Sequence, residues 1–149
     1  MLIYIHFVHE QSSGIAVNDA CIAAYHELKL KKSYKYIVFK ISDDKTQIEV
    51  EKTSTSSDYD EFLSNLPSDD CRFAVYDFIF EIPDAGERQK LCFYFWSPDT
   101  AKIKPKMLYA SSKEAIRKRL DGINTEIQGT DIDEVSYKSV FDKVMRTTR

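Results

Sequence analysis

At 149 residues, 43% hydrophobic and 30% charged, the chain has the size and composition of one globular domain with enough apolar material to bury a core. A formal charge of −3 argues against general nucleic-acid binding, which usually shows a net basic domain, and no apolar run approaches the length of a membrane span. The three cysteines, Cys21, Cys71 and Cys92, are odd in number and lie in apolar surroundings without a C-x-x-C spacing, so they read as reduced, buried thiols and not as a metal site. In chain order, residues 1–11, MLIYIHFVHEQ, are apolar and β-branched and do not match the rest. They lack the cationic start and small-residue cleavage site of a secretory signal. His6 and His9 are three apart, with no other ligand type nearby.

Asn18 is a plausible N-cap, with Asp19 in the first turn favouring the helix dipole. Cys21, Ile22, Tyr25 and Leu28 then make one apolar helical face ending near Leu30, with His26 at its surface or boundary. Residues 34–41 are β-branched and aromatic and read as a strand. Asp43-Asp44-Lys45 is a turn, and residues 47–51 alternate as a half-exposed hairpin strand. Asp58 and Glu61 have capping-box spacing before a short helix that buries Tyr59, Phe62, Leu63 and Leu66 and stops at Pro67. Residues 71–80 and 91–96 are nearly continuous apolar runs, as expected of central strands covered on both faces. Between them lies the turn Pro83-Asp84-Ala85-Gly86, and Arg88 and Lys90 alternate on the solvent side of the returning strand.

Ser97-Pro98-Asp99 leads through a lysine-studded segment into a helix predicted to begin at Pro105, since Pro suits the first helical position. At 100° per residue, Leu108, Tyr109, Ser112, Ile116 and Leu120 fall on one face, and Met107, Ala110, Ser111, Glu114, Arg117 and Lys118 on the other or its flanks. Residues 102–119 hold seven basic side chains against the single acid Glu114. A basic, partly apolar helix on an acidic domain suggests a docking surface for a negatively charged partner. Residues 124–129 form a short strand. Asp131 or Asp133 caps a last helix with Val140, Phe141 and Val144 inward and Asp142, Lys143 and Arg146 outward. Strands grouped in the middle and helices on both flanks predict an α/β fold of the α+β type, a mixed sheet between two helical layers.

No catalytic constellation is visible: no G-x-S-x-G, P-loop or dinucleotide fingerprint, and only four glycines. The acid pairs Asp43-Asp44 and Asp69-Asp70 sit in turns, where such residues stabilise the turn. The reading is a binding protein, not an enzyme, with no cofactor and no metal.

The motifs SGIAV, YKYIVFKI, LPSDDCRFAVYDF, WSPDTA, KMLYASSKEA with the following Arg117-Lys118 pair, and IQGTD occur in order from Ser13 to about Arg146. Together they resemble the actin-depolymerising factor/cofilin family. The resemblance implies a single ADF-homology domain over residues 12–149, with a mostly antiparallel sheet of about five strands and helices on both faces. It also implies a monomer that binds monomeric and filamentous actin, prefers the ADP form, and severs and depolymerises filaments. The site shared by both actin forms would comprise Ser13, Gly14, Lys104, Lys106, Met107, Arg117 and Lys118. The filament-specific site would comprise Arg88, Lys90, Asp142, Lys143 and Arg146. Relatives often carry Ser where Pro105 stands. In many relatives the serine before the glycine is phosphorylated to release actin, which here is Ser13. The cations could also hold phosphoinositide headgroups, and a phosphoinositide-binding regulatory module is the alternative reading. The implied location is the cytoplasmic actin cytoskeleton, with the nucleus as a further site. Relatives carry only a few polar residues before the Ser-Gly, so residues 1–11 are either a true extension or a start assigned upstream, for example across an intron; the second is favoured.

Overall fold

The computed structural model describes residues 14–146. Six strands form one sheet: β1 (Ala16–Val17), β2 (Tyr36–Ile41), β3 (Gln47–Ser54), β4 (Arg72–Ile82), β5 (Gly86–Trp96) and β6 (Thr125–Gly129), in the order β1-β3-β2-β4-β5-β6. The central pairings are antiparallel, while both edges, β1 on β3 and β6 on β5, are parallel. The expected mixed, mostly antiparallel sheet is therefore present. It gains a sixth strand of only two residues, too short for any periodicity to show it.

Four α-helices cover the sheet: α1 (Asp19–Lys31), α2 (Tyr59–Ser64), α3 (Ile103–Arg117) and α4 (Tyr137–Arg146). Side chains alternate across a strand, so the sheet carries two cores. On one face Ile37, Phe39, Phe73, Val75, Leu91, Phe93 and Phe95 pack with Cys21, Tyr25 and Leu28 of α1 and with Tyr109 and Ile116 of α3. On the other, Val38, Tyr76, Phe78, Tyr94 and Ile127 pack with Tyr59 and Phe62 of α2 and Val140 and Val144 of α4. The two helical layers predicted from the chain order are both present, and all three cysteines are free and buried.

Several local expectations shift. The β4–β5 hairpin is longer than its apolar runs, pairing residue for residue from Arg72↔Trp96 out to Ile82↔Gly86. Asp58 does cap α2, accepting from the Asp60 and Glu61 N–H groups at 3.0 and 3.4 Å. The Glu61 carboxylate does not return the bond in a capping box. It accepts from the Tyr36 hydroxyl at 2.6 Å and from Ser54 Oγ at 3.1 Å, because the neighbouring strands offer better donors. Asp131 caps a 3₁₀ turn (Ile132–Val135) by accepting from Glu134 N–H at 3.0 Å. Ser136, just before Tyr137, caps the last helix instead: its Oγ accepts from Ser139 N–H at 3.2 Å, and neither Asp131 nor Asp133 caps it. The glycine of IQGTD has a steric reason: a Cβ on Gly129 would sit 2.5 Å from Val135 Cγ1 and 3.2 Å from the Trp96 ring.

Candidate functional site

The long helix α3 begins at Ile103, two residues before the expected start. Pro105 is thus the third helical residue, still among the N–H groups that lack an intrahelical partner. Its inner face is anchored by Tyr109, whose buried hydroxyl accepts from the Ile41 backbone N–H at 2.9 Å and so ties the helix to the end of β2. Burial also raises the Tyr109 phenol above its ordinary pKa. Ser112 satisfies itself by donating to the Leu108 carbonyl at 2.7 Å, and Ile116 and Leu120 are fully buried.

The outer face is different in kind. Ile103 is 68% exposed and Met107, one turn on, 64% exposed. Ala110, Ser111 and Glu114 continue the exposed face. Lys102 occupies the N-cap without a side-chain capping bond, and the first turn contains no acid. Lys104 is exposed, and Lys106 is half-buried with its Nζ donating to the Asp99 carbonyl at 3.1 Å. A helix N-terminus carries partial positive charge, which acids normally offset. Here three lysines add to it.

The remaining predicted residues divide. Gly14 is exposed at a φ of 69° and leads into β1. Ser13 lies outside the described residues, as does the 1–11 segment. Lys118 is exposed at the C-cap of α3. Arg117 is half-buried, its Nε 2.7 Å from Glu126 Oε2 on β6, with Lys113 Nζ at 3.6 Å from the other oxygen. Its charge is thus largely spent inside the domain, a pairing that helical periodicity could not show because the partner lies on another element.

Arg88 and Lys90 pair with Phe80 and Phe78, so their side chains rise on the α4 face of the sheet. Arg88 is exposed and bonds the Ala85 and Glu87 carbonyls, and Lys90 is half-buried. On α4, Asp142, Lys143 and Arg146 are all exposed, with Asp142 3.2 Å from Lys138 Nζ. These five residues therefore lie on the sheet face opposite α3. Lys90 is also six residues, about 20 Å, along β5 from the Trp96 end that leads to α3. Two residues escaped the sequence reading. Ile103 fell before the expected helix start. Tyr137, 51% exposed, stacks on Phe78 and Phe141 with centroids at 5.2 and 6.0 Å; only its aromatic spacing to Phe141 hinted at it.

A family model for cofilin/tropomyosin-type actin-binding proteins matches residues 14–145. The chain belongs to this family. It is 58% identical over 137 residues to the cofilin of Mycosarcoma maydis, covering 92% of this chain and 99% of that one. It is 52% identical over 135 residues to the cofilin of Saccharomyces cerevisiae, covering 90% and 94%. Among solved structures, a Streptomyces griseoflavus cofilin superposes with a TM-score of 0.85 at 53% identity, over 89% of this chain and 98% of that one. Plasmodium berghei actin depolymerization factor 2 does so with 0.80 at 31% identity, over 89% and 98%. The two helical layers and the curled mixed sheet are thus the cofilin architecture, with the basic helix α3 on one of its faces.

Proposed function

We propose that this cofilin-family chain binds both monomeric and filamentous actin through the outer face of α3, with Lys104, Lys106, Met107 and Lys118, joined by Gly14 and Ser13 and flanked by Arg117. The observation that carries this reading is the start of α3: exposed Ile103 and Met107 set among Lys102, Lys104 and Lys106, on a helix end with no acid to offset its dipole. Such an arrangement disfavours the isolated domain and suits an acidic partner with an apolar cleft. Filament binding adds Arg88, Lys90, Asp142, Lys143 and Arg146 on the opposite face, so that the domain bridges neighbouring subunits. Preference for the ADP filament in one twist, over others, is what lets binding change filament shape. Severing and monomer loss follow from that preference, without a chemical step or cofactor. The protein acts as a monomer in the cytoplasm at the actin cytoskeleton, and in the nucleus. Phosphate on Ser13, next to Gly14 in the chain, adds about two negative charges and repels an acidic partner.

The test is high-speed co-sedimentation with ADP-actin filaments across salt, paired with monomer binding and filament imaging. Binding to both forms with shortening of filaments is expected; a folded protein that leaves filaments intact and unbound would end the reading. A second reading rests on the cleft beside α3, whose lining sets Lys40, Lys45, Lys102 and Lys104 against the two acids Asp43 and Asp70, a net excess of cations for a phosphoinositide headgroup. Co-sedimentation with phosphoinositide vesicles, with and without actin, separates the two.

A further inference from the structure

Arg117 belongs to the proposed actin surface, yet its guanidinium is already engaged. On α3, Lys106, Lys113 and Arg117 recur at i, i+7 and i+11 and form one half-buried row beside the exposed Met107, Ala110 and Glu114. That row faces β6, the last strand of the sheet. Glu126 of β6 lies opposite Phe93, on the face of the sheet that α3 covers. Its carboxylate takes both cations: Arg117 Nε stands 2.7 Å from Oε2, and Lys113 Nζ 3.6 Å from Oε1. A cleft of about 150 Å³ opens beside the pair, lined in part by Phe93, Phe95, Lys113 and Glu126, and Lys143 of α4 reaches it around the sheet edge. Glu126 thus sits among three cations drawn from both helical layers.

The pair contributes little to the fold. The Arg117 and Glu126 side chains are 26% and 44% exposed, and ion pairs so open to solvent stabilise weakly. Its position is what matters, because it neutralises the flank of the helix face that meets the partner. We propose that Glu126 stands in for a carboxylate of actin: it fills the place between Arg117 and Lys113 that an acidic side chain of actin takes on docking, and so sets affinity. Each docking event then has to break this contact, and the domain binds more weakly than its row of cations allows. The ion pair rests on the geometry alone; its consequence for actin rests on the function proposed above.

Glu126→Gln keeps the shape of the side chain and removes its charge. Its affinity for ADP-actin monomer and filaments is measured at two ionic strengths beside the unaltered chain, Arg117→Gln and the double variant, with urea denaturation of each. Glu126→Gln should bind both actin forms about two- to fivefold more tightly at low salt, mainly through faster association. The gain should shrink at high salt. In the Arg117→Gln background it should fall by half or more, since the two residues act as a pair. Denaturation midpoints should stay nearly equal. Unchanged or weaker binding by Glu126→Gln overturns the proposal, and weaker binding would make Glu126 a support that aims Arg117 at the partner. A gain of the same size with and without Arg117 also overturns it, leaving only the change in net charge. A large loss of stability in Glu126→Gln would make the pair part of the fold and overturn it as well. If the unaltered chain and every variant leave both actin forms unbound, the function proposed above falls and takes the stand-in with it; an unaltered chain that binds, with Glu126→Gln no tighter, overturns the stand-in alone.

Discussion

Replacing Met107 by Ala probes the proposed surface where its energy should be largest. The side chain is 64% exposed in the free domain. Fully burying a Met side chain stabilises by about 1.5–3 kcal/mol, so covering the exposed two thirds in a complex contributes about 1–2 kcal/mol. Loss of that contribution weakens the Kd about five- to thirtyfold. The fold should hardly notice: Ala is a better helix former than Met, and exposed substitutions stay within about 0.5 kcal/mol. The assay is a pair of measurements on Met107→Ala, fluorescence titration against ADP-actin monomer and co-sedimentation with filaments, alongside urea denaturation. Both affinities should fall together with an unchanged denaturation midpoint. Less than a threefold change in either, with the fold intact, would refute the reasoning, because a large, mostly exposed apolar side chain of this face would then remain solvated in the complex.

Lys104→Ala with Lys106→Ala should weaken monomer and filament binding alike, with most of the loss at low salt, since these cations act over a screened distance; titration at two ionic strengths reads this. Arg88→Ala with Lys90→Ala should impair filament co-sedimentation and severing while monomer affinity stays near normal, because these side chains rise on the sheet face opposite α3. Tyr109→Phe should cost about 1–3 kcal/mol in urea denaturation, as the buried Ile41 N–H loses its acceptor. Burial raises the Cys21 thiol to about 11 and the Cys92 thiol to about 12 from an ordinary 9.0. Above pH 9 the unfolded chain therefore releases protons that the native state retains, and stability should fall as pH rises from 9 toward 12, measurable as a declining Tm.

How far the sequence alone reaches depends on whether a signal is local. Asn18 caps α1 as expected, its Oδ1 accepting from Ala20 N–H at 2.8 Å, because the cap and its partner are two residues apart. The runs around Phe73 and Phe93 announced strands buried on both faces, since nearly every position there is apolar. Met107 was visible as an outward residue because helical periodicity is regular once the helix is under way. The tertiary structure decided what depends on residues distant in sequence. Ser136, and neither Asp131 nor Asp133, caps the start of α4, because a 3₁₀ turn is interposed. Glu61 turns from its cap to Tyr36, and Arg117 from solvent to Glu126, because a strand from elsewhere brings the stronger partner. Ile103 became part of the surface only when Tyr109 fixed where α3 lies against β2. Local pattern specifies which elements form and which side of each is apolar. Which charges remain free for a partner is settled by long-range pairing, which a one-dimensional periodicity does not encode.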